Sequence, residues 1–353
     1  MAGFVRGAAS SSQPTYDAQS VVLGHTSDSR LVQRARAVFR RVAKPGELRG
    51  LAKAADVIIA RNLECLVMGS RVCGSRPLIY ECLDIHRTLL GNGAAERAIQ
   101  AVEALLLPRV DYLLTSSPAF QREYFSRRPL KAPVLVLENR YRPPAGTAPP
   151  EPQPAPERNG IYTIGWFGML RCRRSFEVLA ALARRNEGKI EVIIAGKPSP
   201  AVFPDFEADL RANPALRYFG PYRPEQLASL YGRCHFAWCI DWFEEGLNSA
   251  WLLPNRLYES MAFGVVPIAL DDVETGAWLR REGAGVLVSD ASEVEGAIGG
   301  MDAAAYRAAR AAVRQIDRCK LIAGEDEGRE LSRMLGRLVA GRQHDGERRG
   351  SAR

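Results

Sequence analysis

Ten short apolar runs, separated by stretches with helical spacing, constrain this chain more than any other feature of it. Four fall in the first half: ADVIIARN (55–62), PLIYECLD (77–84), DYLLTSSP (111–118) and PVLVLENR (133–140). Six follow: YTIGWFG (162–168), IEVIIAG (190–196), LRYFG (216–220), HFAWCID (235–241), VVPIALD (265–271) and GVLVS (285–289). Runs that are apolar throughout, instead of alternating, suit strands covered on both faces. The stretches between them, such as SFEVLAALARR, PEQLASLYGR and PNRLYESMAFG, read as amphipathic helices. Strands that alternate with helices predict α/β domains with parallel sheets and helices on both faces, in the Rossmann manner.

The two groups of strands are separated by residues 142–160, which hold 7 of the 22 prolines. A segment so rich in proline joins neither sheet nor helix and tends to extend. The expected organisation is a Rossmann-like domain over 1–141, a linker over 142–160, and a second Rossmann-like domain over 161–341 that ends in helices. A charged tail, 342–353, is expected to be disordered. In open parallel sheets ligands lie at the carboxyl ends of strands, so the two domains are expected to face each other across a cleft.

Composition narrows the partners. The chain has 353 residues, with 48 Lys and Arg against 40 Asp and Glu, a net charge of +8. Such a balance points to an anionic partner, not to its kind. Nucleic acid is a weak candidate, because no recognition module is visible. No apolar run reaches the roughly 18 residues of a spanning helix, and the first residues lack the apolar core of a signal peptide. A cytoplasmic protein is expected. The 7 cysteines are odd in number and scattered, with no CxxC pair, which suits reduced thiols and neither a zinc site nor a disulfide frame.

The strand ends of the second half carry the chemistry. After YTIGWFG, Gly168 permits a tight exit, and Arg171, Arg173 and Arg174 bring cations to a helix start. After IEVIIAG, Gly196 is followed by Lys197. Cations delivered to one sheet edge from two strands suit a diphosphate, although three arginines near a helix start also fit a solvated face. Asp241, Glu244, Glu245 and Asn248 fill the loop after HFAWCID, and Asn255 and Glu259 lie four apart on one helix face. A carboxylate on an otherwise apolar helix needs a partner, and a ribose diol would serve; a surface glutamate beside Arg256 is the plainer reading.

Together GWFG with its arginines, the Gly–Lys turn, EEGLNSAWLLPNRLYE and GVVPIA resemble the donor domain of GT-B glycosyltransferases. The similarity is to the family 4-like branch, and within it to the succinoglycan-type exopolysaccharide enzymes. The resemblance implies an α/β GT-B fold with two Rossmann-like domains facing a cleft. It implies a hexosyltransferase, using a nucleotide-diphosphate sugar such as UDP-glucose as substrate and no cofactor. The sequence has no DxD triplet and no His/Cys/Asp cluster with ligand spacing, so no metal is expected. The acceptor would be a hydroxyl of a lipid-linked exopolysaccharide unit. By residue, it implies that Arg174, helped by Arg171, and Lys197 face the diphosphate. Glu259 would contact the ribose, and Glu245 to Asn248 would cradle the sugar. The family's paired glutamate would fall at 251, where this chain has Trp251, and Met169 stands where many relatives carry an arginine.

The first half is the expected acceptor side. Glu81, Asp84 and His86 stand at the mouth of one strand and Asn62 at the end of another; Glu138 and Asn139, at the end of the last, are read as contacts to donor or acceptor, with Asn139 placed on the acceptor side. Asp84 is read as a base for the acceptor hydroxyl and His86 as a proton shuttle near neutral pH; a packed structural histidine is the alternative. GT-B acceptor domains open on an apolar strand and a Gly-rich loop, and none is legible before residue 21, so the first strand is expected to be missing. That favours, as a second reading, a non-catalytic nucleotide- or glycan-binding module. A nucleotide-sugar epimerase is a third, and a Rossmann dehydrogenase lacks its GxGxxG. Residues 30–53 hold eight basic residues against the single acid Glu47. With Leu31, Ala35, Val38 and Val42 at helical spacing, they suit either a helix lying on anionic lipid or a solvated charged face.

Overall fold

A computed structural model describes residues 2–6, 21–26, 31–157 and 160–350, with side chains described over 36–157 and 160–342. It divides into two compact units, Met1–Leu137 with Gly328–Arg353, and Glu138–Glu327.

The first unit opens on β1 (Ala2–Arg6), paired in parallel with β2 (Val21–Thr26). The chain therefore does begin with a strand, which corrects the expectation of a missing one. Its run, AGFVR, is short and ends on an arginine, so apolar continuity gave no signal. Two helices follow, α1 (Leu31–Ala43) and α2 (Gly46–Lys53). Val38 of α1 packs against Met68, with Val42 and Leu48 around them, whereas Phe39 is 74% exposed. Part of the stripe expected to face lipid is thus used in the unit's own packing. The side chains of Leu31 and Ala35 lie outside the described residues.

Then come β3 (Ile58–Arg61), α3 (Asn62–Val72), β4 (Leu78–Cys82), α4 (Ala94–Leu106), β5 (Tyr112–Thr115) and β6 (Val134–Val136). The four strands form one parallel sheet in sequence order. Glu103 of α4 is fully buried; its carboxylate accepts from Tyr124 Oη at 2.5 Å and from Tyr80 Oη at 3.2 Å.

The second unit contains β7 (Tyr162–Phe167), α5 (Arg173–Arg185), β8 (Ile190–Ala195), α6 (Phe206–Ala212), β9 (Leu216–Tyr218), α7 (Leu227–Tyr231) and β10 (Phe236–Trp238). It continues with α8 (Asn255–Ala262), β11 (Val266–Leu270), α9 (Glu274–Glu282), β12 (Val286–Val288), α10 (Glu293–Gly299) and α11 (Ala303–Gln315). Its six strands are all parallel, in the order β12-β11-β10-β7-β8-β9. Strand order reverses between β7 and β10, and a crevice at the carboxyl ends beside such a switch is where ligands bind in these sheets. The core is heavily aromatic, with Trp166, Trp238, Tyr231 and Tyr258 all less than 2% exposed.

The second unit starts at Glu138, four residues before the expected linker, and the proline-rich stretch lies within it. Tyr141 bridges Ile322 in parallel, and Gln153 N donates to Phe263 O at 3.0 Å. Arg310 and Arg318 donate to the carbonyls of Gln153 and Pro150. Carbonyls that proline keeps out of a sheet are satisfied by arginine instead. The last helix, α12 (Glu325–Gly350), runs into the segment expected to be a disordered tail, as far as Gly350; residues 351–353 lie outside the described residues. From Gly328 it belongs to the first unit, where Arg342 pairs with Asp111.

Candidate donor site in the second unit

Three strand ends and one helix converge on a cavity of 580 Å³ in the second unit. Gly168 and Met169 leave β7, Gly196 and Lys197 leave β8, and Pro221 and Tyr222 follow β9. The first turns of α8 add Asn255 and Glu259, and residues 139–142 close one side. The two Gly turns are laced together, with Leu170 N donating to Lys197 O at 2.9 Å and Ser199 N to Leu170 O at 2.8 Å. This lacing fixes where Lys197 leaves the sheet edge. Lys197 is exposed and enters no ion pair among the described residues.

Glu259 is held by Tyr231, whose hydroxyl donates to its Oε2 at 3.3 Å. Burial pushes its carboxyl above the ordinary glutamate range, and the Tyr231 hydrogen bond and the charge of Arg256 offset this only in part. The same setting, burial first and then the Glu259 charge, pushes the Tyr222 phenol upward. Arg256, one helical turn before Glu259, donates to Asp241 Oδ2 at 2.8 Å, and both side chains are 11% exposed.

The expected cations divide. Lys197 lines the cavity, but Arg171, Arg173 and Arg174 do not. Arg173 forms a two-pronged pair with Asp209, at 2.7 and 3.1 Å. Arg171 lies 3.7 Å from Asp241 and 5.0 Å from the Phe243 ring centre. Arg174 lies 4.4 Å from the Trp242 ring centre and donates to Glu245 Oε1 at 2.5 Å. Glu245 and Asn248 belong to the loop beyond β10, where Gly246 takes φ 75° and Asn248 is buried at the start of a short 3-10 turn. Gly168, Lys197, Asn255, Glu259 and Asn139 therefore line one cavity, whereas Arg171, Arg174, Glu245 and Asn248 are not among its lining residues.

Asn139, expected on the acceptor side, lies in the second unit, where its Nδ2 donates to Leu253 O at 3.0 Å. Glu138 beside it accepts from Tyr258 Oη at 3.0 Å and Trp278 Nε1 at 3.4 Å. The remaining candidates stay in the first unit. Asn62 is the single non-glycine with positive φ among the described residues, at 65°. Glu81 is engaged by Arg61 at 2.7 and 3.0 Å. Asp84 and His86 are exposed on either side of the fully buried Ile85. The His86 ring caps a 3-10 turn by accepting from Thr88 N at 3.3 Å.

Sequence reasoning missed Tyr222, Pro221, Pro224 and Leu227, which add apolar surface to the cavity lining. The signal available was an aromatic between two prolines directly after a strand, in GPYRP. It also missed Trp242 and Phe243, which face the arginines.

No protein-family model matches the sequence. The chain is 43% identical over 288 residues to the succinoglycan biosynthesis protein ExoL of Rhizobium meliloti (strain 1021), covering 78% of this chain and 71% of that protein. Among solved structures it resembles the sucrose-phosphate synthase of Thermosynechococcus elongatus, with TM-score 0.65, 15% identity, and 91% and 84% of the two chains covered. It also resembles Anabaena HepE in complex with UDP and glucose, with TM-score 0.63, 15% identity, and 90% and 86% covered. At such identities these structures speak for the fold alone. The sequence relationship goes further, and with the two parallel-sheet units it makes this chain a member of the exopolysaccharide glycosyltransferase family that includes ExoL, built on the GT-B fold.

Proposed function

We propose that the protein transfers a hexose, glucose first among the candidates, from a nucleoside-diphosphate sugar to a hydroxyl of a lipid-linked exopolysaccharide unit. The observation that carries this reading is that Lys197 and Glu259, brought in by separate elements, wall one cavity with Tyr222. Its 580 Å³ falls in the range of small-molecule sites, roughly 300–1,000 Å³. Tyr222 and the prolines beside it offer a flat apolar face for a base. The Glu259 carboxylate suits a ribose diol, and Lys197 the diphosphate, which reaches from the cavity toward Arg174 at the head of α5, with Arg171 beside it in a supporting place. Residues 245–248 take the sugar. HepE has been solved with UDP and with UDP-glucose, which supports the uridine nucleotide as the first probe.

The reaction breaks the bond between the anomeric carbon and the diphosphate oxygen and forms one to the acceptor oxygen. The electron pair of the broken bond leaves with the diphosphate, where fixed cations stabilise the growing charge. The acceptor hydroxyl proton passes to Asp84 or His86. Contact with an anionic membrane belongs to the same proposal, through the exposed Arg36, Phe39 and Arg40 of α1. Among the described residues no helix is long and apolar enough to cross a membrane.

The test is a donor panel with purified protein, with nucleotide release measured with and without membrane lipid extract and vesicle binding measured alongside. Release from UDP-glucose that needs the extract and is lost in the Glu259→Ala, Arg174→Ala double variant is the expected result. Retained release in that variant refutes the site. Nucleotide binding without release under every acceptor makes the protein a binding module.

A further inference from the structure

Arg174 is expected at the diphosphate, and its guanidinium is engaged on two sides. Its Cζ lies over the Trp242 ring, 4.4 Å from the ring centre. Its Nη1 donates to Glu245 Oε1 at 2.5 Å and its Nη2 lies 3.9 Å from Asp290. These partners differ in how firmly they are held. Trp242 is buried, its backbone N–H donates to Cys172 Sγ at 3.4 Å, and its ring lies 6.1 Å from that of Trp238. Trp238 Nε1 in turn donates to Ser175 Oγ at 3.1 Å. The platform under Arg174 is therefore tied to the residues flanking Arg174 at the head of α5. Glu245 and Asp290 are each 58% exposed, and Gly246 with φ 75° adjoins Glu245.

Stacking on an aromatic ring uses the face of a guanidinium and leaves its N–H edge for a planar or bidentate oxyanion. An exposed carboxylate on that edge is a weak partner that an anion of higher charge displaces at small cost. Arg171 is the contrasting case. Its carboxylate, Asp241, is only 11% exposed and already committed to Arg256, so that contact belongs to the framework.

We propose that Trp242 is a positioning residue that fixes the Arg174 guanidinium edge-on to the donor diphosphate, and that Glu245 holds the diphosphate's place until the donor arrives. This rests on the donor-site reading above. Titration calorimetry of the full chain with UDP and with UMP tests it. The diphosphate increment, the ratio of the two affinities, isolates the Arg174 contact from general damage. Trp242→Leu is expected to reduce that increment about fivefold to tenfold, Trp242→Phe to retain most of it, and Trp242→Leu to add nothing to Arg174→Ala. Glu245→Gln is expected to tighten UDP binding about twofold to fivefold, with little change for UMP. Equal losses of UDP and UMP in Trp242→Leu, additive losses in the double variant, or unchanged or weaker UDP binding in Glu245→Gln each overturn the proposal. Wild-type protein that binds no UDP overturns the donor-site reading itself, and this proposal with it.

Discussion

Gly196 lies so close to Gly168 that a methyl group placed on it would stand 1.7 Å from the Gly168 carbonyl oxygen. The turns after β7 and β8 therefore touch backbone to backbone, at φ 115° for Gly168 and 137° for Gly196. Either residue carries strain when replaced, on the order of 1–3 kcal/mol for a non-glycine in such a conformation. Only Gly196 adds a collision with main chain that cannot rotate away; around Gly168 the added carbon meets nothing within 4 Å. Gly196→Ala is therefore expected to lower stability clearly more than Gly168→Ala in urea melts and to abolish UDP binding. Equal costs for the two would show that the turns part easily.

The Asp241–Arg256 pair, with both side chains 11% exposed, ties the loop beyond β10 to α8. Removing one partner strands a charge, at a cost of about 3–5 kcal/mol. Asp241→Ala should therefore unfold at markedly lower denaturant. Asp241→Leu combined with Arg256→Met should recover most of that loss, because two apolar side chains need no compensation. A double variant as unstable as the single one would mean that the pair is required for its shape and not for its charge balance.

The sheet of the second unit was legible because its central strands β7, β8, β10 and β11 are buried almost throughout and so read as unbroken apolar runs. The same runs placed Gly196 and Lys197 at a strand end, where they lie. Asn139 follows the last strand of the first unit in the sequence yet belongs to the second unit. What anchors it is a hydrogen bond to Leu253, more than a hundred residues away, and tertiary pairing of that kind leaves no local pattern. The arginines show the same limit. Composition reports Arg171 and Arg174 as free cations, but the carboxylates and rings that engage them come from another strand end. The opening strand was missed because five residues ending on a charge carry no periodicity.

Glu103 is a buried carboxyl whose ordinary range is exceeded because burial outweighs the hydrogen bonds from Tyr124 and Tyr80. Glu103→Gln keeps a polar group between the two phenols and removes the charge, so it should match or exceed the wild type in stability at neutral pH. Glu103→Leu leaves two buried hydroxyls without an acceptor and should cost about 1–3 kcal/mol for each. Chemical denaturation at pH 7 ranks the three. A glutamine variant as damaged as the leucine one would show that the ionised form is needed.

Glu259 links stability to function with opposite signs. Its folded carboxyl titrates above the unfolded one because burial disfavours the charge. The folded state therefore binds the extra proton between the ordinary glutamate range and the raised value. The stability this confers is complete below that window and is lost as pH rises through it. Donor binding runs the other way, because only the ionised carboxylate accepts from both hydroxyls of a ribose. UDP affinity should fall as pH drops through the same window, and UDP binding should release protons there, which calorimetry in buffers of different ionisation enthalpy detects. Glu259→Gln should abolish both dependences, raise neutral-pH stability, and weaken UDP by about tenfold or more through the lost charged hydrogen bonds. An unchanged UDP affinity in Glu259→Gln, with the proton release intact, would place the ribose elsewhere in the cavity.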